Sequence, residues 1–157
     1  MEHETIHLRQ ATPDDQAVIL GHRRGMFRDM WAGTSEQLDR MIEATAPWLA
    51  GALADGSYRG WLAVTADGQV VAGGGVIVTP WLARPREGDP RRAVIVNVYT
   101  EPGWRGRGLA RRIMEAILAW LREQGLQSVD LHASDAGRHL YETLGFEPTN
   151  EMRLRLT

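Results

Sequence analysis

The chain has 157 residues, 43% of them hydrophobic, and a formal net charge of −2, which predicts one globular domain spanning residues 1–157. The charge argues against a nucleic-acid-binding protein that relies on bulk charge. The lack of a long apolar stretch or signal peptide argues against a membrane protein and favours the cytoplasm. There is no cysteine, and all 18 residues counted as Lys or Arg are arginine, which excludes a thiolate metal site, a cysteine or Schiff-base lysine nucleophile and a Walker-type loop.

The first part of the chain is predicted to contain one strand and two helices. Ile6–Gln10 alternates apolar and polar residues, as a half-buried strand does. A helix is expected from about Pro13 to Phe27, with proline in its first turn. Thr34 is expected to cap a second helix, which Pro47 is expected to break or restart.

A hairpin and a loop are predicted next. Gly60–Ala66 and Val70–Pro80 have the composition of strands, and the short segment between them contains the turn pair Asp-Gly. Gly73–Gly75 predicts a bulge or a close backbone approach within the second of these strands. Trp81–Arg92, rich in Pro, Arg and Gly, is predicted to be a loop.

The second half is predicted to alternate strands and helices. Ala93–Thr100 is expected to be a central strand buried on both faces, followed by a helix over Leu109–Gln124 and a strand over Ser128–Ala133. A short helix from Ser134 to Leu144 and a last strand over Met152–Leu156 complete the chain. This order predicts an α/β fold with a mixed, mostly antiparallel sheet, helices on both faces and one parallel crossover.

The glycine-rich segment Arg105–Ala110 lies between a strand and a helix, where backbone N–H groups and the helix dipole favour phosphate. A Walker loop is excluded because the chain has no lysine. A dinucleotide fingerprint fits poorly, because Arg111 stands where its third glycine belongs and Glu101–Arg105 separates the strand from the glycines.

Two motifs resemble those of the GCN5-related N-acetyltransferase (GNAT) family. Arg105, Gly108 and Ala110 fill the defined positions of the family's coenzyme A signature. Tyr141, shortly before Gly145-Phe146, resembles its second signature. The order of predicted elements also matches, and the resemblance is most specific over residues 93–146.

The resemblance implies acetyl-CoA as the donor. The loop backbone over residues 105–110 would hold the CoA pyrophosphate, and the strand backbone would pair with the pantetheine arm. A backbone N–H at about Val98 would stabilise the oxyanion, and Arg107 would meet the 3′-phosphate or remain solvated. The donor-binding residues implied in this way are Val98, Tyr99, Thr100, Arg105, Gly106, Arg107, Gly108, Leu109, Ala110 and Ser134.

The resemblance also implies direct transfer in a ternary complex, with Tyr141 as the general acid that protonates the CoA thiolate. Without the resemblance, a half-buried aromatic residue is the plainer interpretation of Tyr141. The residues considered for accepting or relaying the proton of the amine, on the acceptor side, are Asp29, Glu36, Asn97 and His132.

The predicted reaction is therefore acetylation of a primary amine, either on a small molecule or at a peptide N-terminus. A homodimer is a further expectation from the resemblance. The five histidines show no metal-binding spacing, so no metal is expected. Two alternatives stay open, namely a regulatory module that binds acyl-CoA without catalysis and a small dinucleotide-binding oxidoreductase.

Overall fold

The protein, described over residues 4–156 by a computed structural model, has a five-stranded sheet with helices on both faces. β1 to β4 pair as antiparallel neighbours and β4 pairs with β5 in parallel. The α/β class, the mixed sheet and its parallel crossover are therefore confirmed. In spatial order the strands are β1 (Ile6–Gln10), β2 (Tyr58–Thr65), β3 (Val70–Pro80), β4 (Arg91–Thr100) and β5 (Asp130–Leu131).

Four α-helices cover the sheet. α1 (Gln16–Asp29), which a 3₁₀ turn precedes, and α2 (Ser35–Asp55) pack on one face with Tyr58. α3 (Leu109–Glu123) and α4 (Asp135–Thr143) contribute to the apolar cluster on the other face. No helix within residues 4–156 combines the length and the apolar character needed to cross a membrane.

The prediction that Pro47 breaks the second helix is wrong, because α2 continues through it. Leu38, Leu49 and Ala52 are all buried, so one apolar face continues on both sides of the proline. Burial of several such side chains offsets the roughly 3 kcal/mol that an interior proline costs. The carbonyl of Ala46, next to the proline, also accepts a hydrogen bond of 2.8 Å from the Gln16 side chain.

Two strand predictions near the C-terminus are wrong in extent. β5 covers two residues instead of Ser128–Ala133, and Met152–Leu156 forms no strand. In that segment Met152, Leu154 and Leu156 are 94%, 81% and 90% exposed. Alternation of apolar residues favours a strand only where a neighbouring strand supplies hydrogen bonds, and within residues 4–156 none pairs with this segment.

β4 is buried less completely than predicted. The side chains of Ala93, Ile95, Asn97 and Tyr99 are at most 7% exposed, whereas the alternate residues are half-buried. Ala93 and Ile95 pack in the cluster under α3, whereas Asn97 and Tyr99 contact α1 on the other face, so β4 buries part of its side chains fully on each face.

Candidate active site

A gap opens between the C-terminal ends of β4 and β5. Pairing between these strands stops at Ile95 and Leu131. The register between β3 and β4 shifts at Gly73–Gly75, but the extra residue lies on β4 and not, as predicted, on β3: Asn97 and Val98 stand opposite Gly74, and Asn97 has a φ of 59°. Because the extra residue of a bulge bends its strand, β4 diverges from β5 beyond this point.

The loop after β4 presents free backbone N–H groups at the start of α3. Gly106 and Gly108 have φ values of 76° and 75°, a left-handed conformation that favours glycine. Gly108 is the N-cap residue of α3, so the next N–H groups have no partner within the helix. Together with the helix dipole, these groups form a site suited to a pyrophosphate.

The side chain of Arg105 connects this loop to β4 and α1. Its Nε donates to the carbonyl of Thr100 at 2.9 Å, and its Nη2 donates to Oδ2 of Asp29 at 2.6 Å. Its guanidinium also lies over the ring of Tyr99, 5.5 Å from the centroid. The hydrogen bond from Arg105 holds the pKa of the Asp29 carboxyl below its usual range.

Tyr141 lies on α4 on the opposite side of the gap and is 9% exposed. Its ring meets that of Phe146 edge to face with centroids 6.0 Å apart. A Cβ at position 137 would lie 2.8 Å from the Tyr141 ring, so Gly137 allows this close approach. Burial raises the pKa of Tyr141, which keeps the phenol protonated at neutral pH.

These features surround one open groove of about 920 Å³. It extends from the end of α1 across the end of β4 and the following loop to the start of α4. Of the residues predicted to bind the donor, those lining it are Val98, Tyr99, Thr100, Arg105, Gly106, Gly108, Leu109, Ala110 and Ser134, and Tyr141 lines it as well.

Several other predicted site residues lie elsewhere. The guanidinium of Arg107 lies 4.5 Å from the ring centroid of Trp104 and outside the groove lining. Glu36 is exposed in the first turn of α2, and His132 lines a separate groove of about 810 Å³ beside β5. Of the four acceptor-side candidates, only Asp29 lines the main groove. Ser134 lines it while capping α4, accepting from the N–H of Gly137 at 3.1 Å.

A polar network beside the bulge contains residues that the sequence analysis did not single out. Arg23 on α1 donates to Oδ1 of Asn97 at 2.9 Å, and Nδ2 of Asn97 donates to the hydroxyl of Tyr58 at 3.2 Å. Asn97 and Tyr58 are 7% and 2% exposed. One sequence signal could have identified Arg23. It directly follows His22 and lies four positions after Ile19, both of which are buried, so it stands next to the buried side of α1.

His22 is the buried histidine on the α1 side of the sheet. It is 4% exposed, and burial lowers its pKa to about 4. Its Nε2 lies 3.9 Å from Oε1 of Glu101. Within residues 4–156, no three or more His, Cys, Asp or Glu side chains are grouped so that they could hold a metal ion; His3 lies outside the described residues.

Comparison with known proteins agrees with this geometry. The sequence model of the acetyltransferase (GNAT) family matches residues 23–146. The aminoglycoside N(6′)-acetyltransferase type 1 of Stenotrophomonas maltophilia is 28% identical over 148 residues, covering 92% of this chain and 88% of that protein.

Solved structures show the same fold. A GCN5-related N-acetyltransferase from Ralstonia eutropha JMP134 is 33% identical and superposes with a TM-score of 0.91, covering 97% of this chain and 99% of that chain. A predicted acetyltransferase from Clostridium acetobutylicum, solved with acetyl-CoA, is 24% identical with a TM-score of 0.85, covering 98% and 96%. The chain therefore belongs to the acetyltransferase (GNAT) family and is an acetyl-CoA-dependent N-acetyltransferase.

Proposed function

We propose that this protein transfers the acetyl group directly from acetyl-CoA to the primary amine of a small molecule, within one catalytic domain. The observation that carries the proposal is the continuous groove from the glycine loop to Tyr141. The N–H groups of residues 105–110 would bind the pyrophosphate, and the end of β4 would pair with the pantetheine arm. The donor then extends along β4 toward the bulge at Asn97.

At the bulge, the backbone N–H of Val98 would polarise the thioester carbonyl. The neutral amine attacks the carbonyl carbon, a C–N bond forms, and the C–S bond breaks with its electron pair remaining on sulfur. Tyr141 gives its phenolic proton to that thiolate, the nitrogen of the new amide loses its excess proton to solvent, and Tyr141 regains a proton from solvent. The raised pKa of Tyr141 supports this role, because an acid must be protonated when the leaving group departs.

The amine must lose a proton to attack. Asp29 lines the groove, but its carboxylate is held by Arg105, and the other acidic or histidine candidates lie outside the groove. Since the groove is open to solvent, we propose that water accepts this proton.

The acceptor class rests on the relatives. The Stenotrophomonas maltophilia protein is named as an aminoglycoside acetyltransferase, which supports a small-molecule amine over a peptide N-terminus. The peptide N-terminus and the cytoplasmic location stay predictions.

The test is Tyr141→Phe. We expect the turnover number to fall roughly 100-fold, as removal of a general acid does, with little change in acetyl-CoA affinity measured by calorimetry. Arg138→Gln, an exposed change on the same helix, is the matched control. Unchanged turnover in Tyr141→Phe would remove the acid role, and acetyl-CoA binding without transfer to any amine would favour a regulatory module.

The homodimer also stays a proposal. The exposure of Met152, Leu154 and Leu156 supports it, because apolar surface of this kind marks contact sites. Sedimentation equilibrium of the protein and of Leu154→Asp tests it, and a monomer at all concentrations would contradict it.

A further inference from the structure

One arginine beside the groove has no acidic partner among the described residues. The guanidinium of Arg23 lies 4.9 Å from the ring centroid of Phe27 and bonds to Asn97 through one nitrogen. Its Nε is buried and makes no hydrogen bond within residues 4–156. The residue as a whole is half-buried, so part of its donor capacity is not used by the protein.

The neighbouring arginines of α1 differ in this respect. Arg24 pairs with Asp39 at 2.9 Å and Arg28 with Asp29 at 3.5 Å. No described carboxylate forms an ion pair with Arg23, and burial lowers the pKa of its guanidinium. A partly desolvated cation without a counter-ion is costly, so the fold maintains at this point a positive charge that its described residues do not balance.

Arg23 lies outside the groove lining but bonds to Asn97, the neighbour of the lining residue Val98. Along α1, Asp29 bonds to the phosphate-binding loop, Gly25 lies against the ring of Tyr99, and Arg23 bonds to Asn97 at the bulge. A donor bound as proposed would end near this bulge, and the acceptor would approach it there. The inference rests on the proposed function in this respect.

We propose that Arg23 binds an anionic group of the acceptor, a carboxylate or phosphate close to the amine that is acetylated. The planar guanidinium offers several N–H donors in a fork that matches such oxygens. The hydrogen bond to Asn97 fixes the plane of that fork, and Tyr58 in turn orients the amide of Asn97. An acceptor with positive charges alone meets an unbalanced cation here and is disfavoured.

The test compares amines that differ only in the anionic group. L-Phenylalanine is compared with 2-phenylethylamine, L-tryptophan with tryptamine, and O-phosphoethanolamine with ethanolamine, with kanamycin as a polycationic comparator. Binding to the CoA-saturated protein is measured by calorimetry and transfer by release of the CoA thiol. We expect the anionic member of the carboxylate or the phosphate pairs to bind at least about 10-fold more tightly, and the two kinds of pair distinguish the two anions.

Variants then assign the preference to Arg23. In Arg23→Gln we expect binding of the anionic member to weaken about 10-fold or more, with binding of the amine that lacks the anionic group unaffected. Arg23→Lys keeps the charge without the fork and should recover part of the preference. Arg24→Gln, on the same helix, is the matched control and should keep all of it. Melting temperature and acetyl-CoA affinity verify that each variant is folded.

The outcomes separate this inference from the proposed function. Preference for the amines without an anionic group or for kanamycin, or an anion preference that survives in both Arg23 variants, would overturn the role of Arg23. Anion binding that depends on Arg23, without transfer to any amine, would support the inference and contradict the proposed function. Transfer to amines without an anion preference would support the proposed function and contradict the inference about Arg23.

Discussion

The two halves of the proposed site are built from different parts of the chain. The donor half consists of the loop over residues 105–110 and the start of α3, where backbone N–H groups and two left-handed glycines form the site. The proposed acceptor half adjoins the groove at Val98 and consists of the side chains of Arg23, Tyr58 and Asn97, which lie outside the groove lining. A site made of consecutive backbone groups has a local sequence signature, whereas one made of distant side chains has none.

The largest expected effect concerns α1, which contains the buried His22 next to the ring of Tyr99. Because the pKa of His22 is about 4 when folded and about 6.5 when unfolded, the unfolded chain binds more protons between these values. The free energy of unfolding should therefore be fully retained above pH 6.5 and decrease toward pH 4, by about 3 kcal/mol from this group. Urea denaturation across this range measures it.

A matched pair of variants assigns that pH dependence. His22→Gln should flatten the profile, whereas His139→Gln, an exposed change on α4, should leave it unchanged. If His22→Gln left the pH dependence of the free energy of unfolding unaltered, the loss of stability at acid pH would not originate at this histidine.

A second prediction perturbs the donor half alone. Gly108→Val introduces a branched side chain at a φ of 75°, a strain of about 2 kcal/mol. We expect acetyl-CoA affinity to fall about 30-fold, with amine binding retained. Gly21→Ala is the control, because a Cβ there meets no atom within 4 Å. Equal losses of donor and amine binding would contradict a division into two halves.

The smallest effect sharpens the boundary between the halves. Asn97→Gly preserves the left-handed backbone at the bulge but removes the bonds to Arg23 and Tyr58. We expect the KM of the preferred amine to rise about 5-fold, because Arg23 loses the hydrogen bond that orients it, worth about 1 kcal/mol, with acetyl-CoA affinity unchanged. A loss of acetyl-CoA affinity instead would place Asn97 in the donor half.

The same contrast explains what the sequence could predict. The glycine loop, the bulge and the position of Tyr141 depend on local patterns, and the structure places them along one groove. The bond between Arg23 and Asn97 joins residues 74 positions apart, which no window of sequence can indicate. Pro47 and Met152–Leu156 were mispredicted for a related reason, since tertiary packing decides whether a helix or a strand persists.

The ion pair between Asp29 and Arg105 has a consequence for how the two substrates bind. α1 contacts the donor loop through Asp29 and holds Arg23 about two turns earlier in the same helix. A shift of this helix on donor binding therefore changes the acceptor half as well. By thermodynamic linkage, any factor by which acetyl-CoA raises acceptor affinity is also the factor by which the acceptor raises acetyl-CoA affinity. The ion pair of Asp29 and the hydrogen bond of Arg23 thus connect the donor loop and the bulge through the same helix.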